Sequence, residues 1–79
     1  MTCQIVADHE VDAIGLLCPL PVLKARKRLQ QMAPGQVLRV LASDPAAVID
    51  IPHFCQQSGH HLLHSEAAGS ATAYLIRCG

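Results

Sequence analysis

A chain of 79 residues with 51% hydrophobic and 15% charged side chains has the make-up of one small globular domain, near the size at which a single core is only just sufficient. Its formal net charge is zero, so bulk electrostatics provide no drive toward nucleic acid or an anionic membrane. Phe54 and Tyr74 are its only aromatics, too few for a base-stacking platform, and no apolar run approaches the ~20 residues that span a bilayer.

Residues 1–8 read as a frayed start to a single domain covering 1–79, with Gln4 to Ala7 able to add to an edge strand. Asp8, Glu10 and Asp12 follow no basic stretch, which argues against a secretory signal. Glu10 to Ile14 alternate as a strand, and Gly15 ends it as a turn. From Pro19 to Met32 the residues Val22, Ala25, Leu29 and Met32 recur on one helical face, with Lys24, Lys27, Arg28 and Gln31 largely on the other. Pro34-Gly35 stops that helix. Gln36 to Ala42 reads as a well-buried strand, and a strand, helix and strand with short links make a right-handed βαβ unit with parallel strands.

Asp44 and Pro45 suit the N-cap and first position of a second helix. Val48, Ile49, Ile51, Phe54 and Cys55 supply its apolar side, Pro52 is expected to kink or divide it, and Ser58-Gly59 ends it. His61 to Glu66 and Thr72 to Cys78 form the last strands, a hairpin turning at Gly69. The expected architecture is an α/β two-layer sandwich of order β-α-β-α-β-β, a mixed four-stranded sheet with two helices on one face and the other face partly open.

Four cysteines, Cys3, Cys18, Cys55 and Cys78, match no zinc spacing and include no Cys-x-x-Cys pair. They read as reduced thiols of a cytoplasmic protein, Cys55 packed in the core and Cys3 and Cys78 near exposed ends. Cys18 differs. It stands at the expected N-cap of the first helix, a place that favours Ser, Thr, Asp or Asn. Pro19 and Pro21 follow it in the first helical turn, where proline is tolerated because the N–H it lacks has no partner there anyway. A cysteine there caps poorly but gains from the positive end of the helix dipole, so the expectation is a mildly activated thiolate. No histidine adjoins it in sequence, which disfavours a Cys-His hydrolase. His53, His60, His61 and His64, which with Cys55 could suggest a metal cluster, read instead as solvated polar positions: His60 and His64 would share one face of a strand, and His61 would point the other way.

Gly15-Leu16-Leu17-Cys18-Pro19-Leu20-Pro21-Val22 resembles the Cys-Pro-x-Pro signature of the TusA (SirA-like) sulfur-carrier family. Pro34-Gly35-Gln36, Asp44-Pro45-Ala46, Asp50-Ile51-Pro52, Phe54-Cys55 and Tyr74-Leu75-Ile76-Arg77 resemble further landmarks, so that the likeness covers about Glu10 to Gly79. The resemblance implies that Cys18 accepts sulfane sulfur as a persulfide and passes it on, with no cofactor beyond that covalent sulfur. Gly15, Pro19 and Pro21 would shape the site. The implied donor is a cysteine desulfurase or rhodanese-type protein, and the implied acceptor a DsrE-like protein, in tRNA 2-thiouridine modification or in sulfur trafficking and oxidation.

Leu17 and Leu20 stand where many members carry Arg and several carry Glu, which leaves an apolar rim. With Lys24, Lys27, Arg28 and Asp44 they are the expected partner-docking residues. No metal, no membrane and no direct nucleic-acid contact are expected. The alternative is a non-enzymatic regulatory or RNA-associated module using the open sheet face and the basic helix; a metal chaperone using Cys18 with Cys55 is a third reading.

Overall fold

The computed structural model describes residues 6–79, so the expectations for Cys3, Gln4 and Ile5 lie outside the described residues. Val6 and Ala7 take no part in a strand. The elements follow the expected order: β1 (His9–Ala13), α1 (Leu20–Leu29), β2 (Val37–Ala42), α2 (Ala47–Ser58), β3 (His61–Ala68) and β4 (Ala71–Arg77). The strands lie side by side as β1-β2-β4-β3. β1 runs parallel to β2, with Val11 opposite Val40, as a short crossover through α1 requires. The hairpin at Gly69-Ser70 turns the chain back so that β4 pairs antiparallel with both β3 and β2. Gly69 has φ of 64°, a conformation that costs a residue without Cβ little. Insertion of β4 between β2 and β3 leaves β1 and β3 at the edges of the described sheet.

The core lies between the helices and one face of the sheet. Leu38, Val40 and Ala42 from β2 and Tyr74 and Ile76 from β4 pack there with Ala25 and Leu29 of α1 and Ile51, Phe54 and Cys55 of α2. β2 is therefore not buried on both faces: Val37, Arg39 and Leu41 are only half-buried, and Arg39 pairs with Glu10 at 2.9 Å on the open side. Ala73 and Leu75 are buried on that open side without a helix above them, Leu75 being flanked in register by Arg39 and His64.

Four further expectations are corrected. α1 ends at Leu29, short of Met32, although Met32 remains buried. Pro52 neither divides nor ends α2, which runs through it. Its missing N–H removes one backbone bond, and the buried Ile51 and Phe54 on either side hold the helix to the sheet. Val48 and Ile49 are 61% and 74% exposed instead of buried, because a helix lying on a sheet buries one stripe, here Ala47, Ile51, Phe54 and Cys55. Cys78 is buried, since the alternation of β4 continues past Arg77 and turns its side chain inward, with Sγ 3.6 Å from the Leu29 carbonyl. Backbone bonds between Cys78 and Gln36 and between Gly35 and Cys78 hold it there. Among the described residues, no helix is long and apolar enough to cross a membrane.

Candidate functional site

The segment from Ile14 to Pro19 connects β1 to α1 at the end of the sheet, and the loop after β2 fixes it. Gly15 turns with φ of 83°, and its N–H donates to Ser43 Oγ at 2.9 Å. The Cys18 N–H donates to Asp44 Oδ2 at 2.6 Å, while Asp44 Oδ1 accepts from the Ala46 N–H at 3.1 Å. Asp44 thus serves the entrance of α2 with one oxygen and the backbone of Cys18 with the other. Such bonds from a carboxylate to a backbone N–H are among the stronger ones. Its expected capping role is met one turn before the regular helix begins, where the Ala47 N–H also reaches the Asp44 carbonyl.

Cys18 is not the N-cap. That position is Pro19, preceded by a cis peptide, and the turn is closed by the Leu20 N–H on the Leu17 carbonyl at 2.8 Å. The Leu20 N–H is therefore taken up within the turn and does not face the sulfur as a free donor. Pro21 is fully buried and anchors the start of α1, and Pro19 remains exposed.

Cys18 itself is exposed and lines an open groove of about 240 Å³ between the start of α1 and the side of α2. Pro19 and Val22 form one wall; Asp50, His53, Phe54 and Gln57 form the other. No lysine or arginine lines this groove. A hydrogen bond to the Asp50 carboxylate, partial shielding from water, and the negative charges of Asp50 and Asp44 all push the Cys18 thiol above its ordinary range. The expected mild activation is therefore replaced by a shift in the opposite direction, set first by Asp50.

Asp50 and His53 are the residues that reading along the chain underrated. Asp50 was legible as a carboxylate on the helix surface, but only the packing of α2 against α1 brings it to the thiol. The available signal was the spacing of Asp50, His53, Phe54 and Gln57, which places them along one helical face.

The expected docking residues separate into two groups. Leu17 and Leu20 flank the thiol in sequence and are 68% and 48% exposed, an apolar rim as expected. Lys24, Lys27 and Arg28 line a different groove, between α1 and β1, and Lys24 Nζ donates to the Asp12 carbonyl at 2.6 Å. They form no collar around Cys18, because positions 24, 27 and 28 share the flank of α1 turned toward β1.

The histidines are dispersed. His60 lies before β3, accepts the Gly79 N–H on Nδ1 at 3.0 Å, and its ring centroid is 5.7 Å from that of Phe54. An irregularity between Leu62 and His64 shifts the β3 register, so His61 pairs with Arg77 and His64 with Leu75. Among the described residues no group of three or more His, Cys, Asp or Glu is arranged to hold a metal. Cys55 and Cys78 are buried free thiols, leaving Cys18 as the one exposed thiol among the described residues.

A two-layer α/β fold that presents an exposed thiol at the mouth of its first helix defines a class of small thiol-bearing proteins. The family described as sulfurtransferase TusA matches this chain over residues 9–78, and the chain belongs to that family. The crystal structure of a SirA-like protein from Desulfitobacterium hafniense is similar to it throughout, with a TM-score of 0.78 at 25% sequence identity, covering 90% of this chain and 97% of that one. Membership assigns the chain, in general terms, to the sulfur carriers that work between a sulfur donor and an acceptor.

Proposed function

We propose that Cys18 carries sulfane sulfur as a persulfide between partner proteins in the cytoplasm. The observation that carries this reading is that Cys18 alone among the described cysteines is exposed, in an open groove of a chain belonging to the TusA family. In the loading step the Cys18 thiolate attacks the outer sulfur of a donor persulfide. A new S–S bond forms on Cys18, the donor S–S bond breaks, and the donor leaves as its thiolate. In the unloading step an acceptor thiolate attacks the outer sulfur on Cys18, and Cys18 leaves as the thiolate. No net oxidation occurs in either step. Asp50, across the groove from Cys18, favours the protonated thiol in the resting carrier.

The donor is of the cysteine desulfurase or rhodanese type and the acceptor is DsrE-like, within tRNA 2-thiouridine modification or cytoplasmic sulfur trafficking and oxidation. The exposed Leu17 and Leu20 beside the thiol give such partners an apolar contact. Incubation with a cysteine desulfurase and cysteine, followed by intact-protein mass spectrometry, tests the proposal. One added sulfur atom is expected on the native chain and none on Cys18→Ser. Sulfur acquired equally by Cys18→Ser overturns it.

A further inference from the structure

The groove at Cys18 carries a net charge that the transfer of neutral sulfur does not require. Asp50 lines it, and Asp44 adjoins it with Oδ2 2.6 Å from the Cys18 nitrogen. Both charges reach the thiol, since both push its proton affinity up. Neither carboxylate has a cation at ion-pair distance among the described residues, where the ion pairs join Arg39 to Glu10 and His64 to Glu66. No lysine or arginine lines the groove, and Lys24, Lys27 and Arg28 line a separate one. Besides Cys18 and Asp50, His53 is the one titratable side chain in the lining.

The surface around these carboxylates is apolar. Leu17 and Leu20 are exposed beside the thiol. Ile49, 74% exposed, precedes His53 by one helical turn and so extends the α2 wall of the groove outward. Apolar side chains grouped in this way mark a contact surface. Its complement is a surface that is apolar at the edge and positively charged where it meets Asp50.

We infer that Asp50 determines specificity at this groove, which accepts a partner protein carrying Lys or Arg beside its reacting sulfur and disfavours sulfur flanked by negative charge. Resting on Cys18 as the sulfur-bearing group, this selectivity defines the charge of what reacts there. A unit charge a few ångströms from the reacting atoms changes the rate for a charged reactant several-fold at low salt, and added salt removes most of that. A nucleic acid would bring phosphates to the same carboxylates, so the surface that fits is that of a protein.

Two blocked tripeptides, Lys-Cys-Lys and Glu-Cys-Glu, each activated as the 2-pyridyl disulfide, test this on the full chain. The Cys18 thiolate attacks the peptide sulfur, a disulfide to the peptide forms, the original S–S bond breaks and 2-thiopyridone leaves. Rates are read near pH 8, above the range in which imidazole ordinarily carries charge, and are assigned to Cys18 by peptide mapping. The ratio of the Lys to the Glu rate is divided by the same ratio for a blocked peptide of residues 15–22, which has no charged side chain. This quotient is expected to be about fivefold or more in ~10 mM salt and to shrink toward one in ~0.5 M salt. Asp50→Asn is expected to lower it about threefold. Any change in thiolate fraction cancels, because both peptides meet the same thiol. Glu66→Gln, at an exposed position outside the groove, changes the net charge equally and is expected to leave the quotient in place. A quotient near one overturns the assignment, as does one that a folded Asp50→Asn variant preserves or that Glu66→Gln lowers as much. Sulfur loading without Cys18 would defeat the carrier proposal and leave this quotient untouched, so the two failures are distinguishable.

Discussion

The reactivity of Cys18 is governed by what faces it across the groove rather than by the helix it precedes. The Asp50 carboxylate shares the groove with the thiol, and Asp44 adds a second negative charge nearby. Both effects hold the proton on sulfur at neutral pH. Asp50→Asn removes the main charge and is expected to lower the Cys18 pKa. For each unit of that fall the thiolate fraction near pH 7 rises tenfold while its intrinsic nucleophilicity falls, leaving a net gain of about threefold in alkylation rate. Iodoacetamide kinetics across pH, read on Cys18 by mass spectrometry, check this. A profile that does not move on Asp50→Asn shows that Asp50 does not set the pKa.

At the scale of elements, the placement of the thiol depends on a loop that belongs to neither helix. Ser43 and Asp44, directly after β2, hold the backbones of Gly15 and Cys18 across 28 and 26 positions of sequence. Asp44→Ala breaks the bonds to both the Cys18 and the Ala46 N–H groups and is expected to destabilise the fold by about 1–3 kcal/mol. Amide hydrogen exchange from Leu16 to Leu20 should accelerate more than that in β2 or β4, because the segment loses its tether while the central strands keep theirs. Uniform acceleration across the chain would show that Asp44 acts on global stability alone. In the sequence Asp44 was legible as a capping residue, since Asp before Pro-Ala at a helix start is a local pattern. Its second bond, to Cys18, is a long-range contact that no local pattern encodes.

At the scale of the whole molecule, the buried thiols bear on stability rather than chemistry. Cys55 packs against the sheet, and burial pushes its thiol up to about 11. A folded-state pKa above the unfolded one means that the folded chain retains the proton while the unfolded chain loses it. The contribution of Cys55 is fully present below the ordinary thiol range and is lost as pH rises from there toward about 11. Denaturant unfolding at a series of pH values between 8 and 11 is expected to show declining stability. A shallower decline in Cys55→Ala would isolate the part due to this thiol, and an identical slope in both chains would refute it.

Much of this fold was legible along the chain because its signals are local: alternation in β1 and β4, the Val22-Ala25-Leu29 face of α1, and glycines at the turns. The same is true of the site's central residue, since a cysteine directly ahead of two prolines at a helix start is visible without a structure. Packing decided the rest. Whether Val48 and Ile49 are buried depends on which stripe of α2 meets the sheet, and hydrophobicity alone cannot choose between adjacent stripes. The fate of Cys78 depends on the chain continuing to pair beyond the last regular strand position. The charge around Cys18 depends on the rotation of two helices about their axes. One turns Lys24, Lys27 and Arg28 toward β1, and the other turns Asp50 toward the sulfur. The sequence by itself determined the order of elements and the presence of a thiol at the mouth of the first helix, because both follow from spacing along the chain. Only the tertiary structure decided that the thiol faces carboxylates instead of cations, because charges act through space and their distances are set by packing.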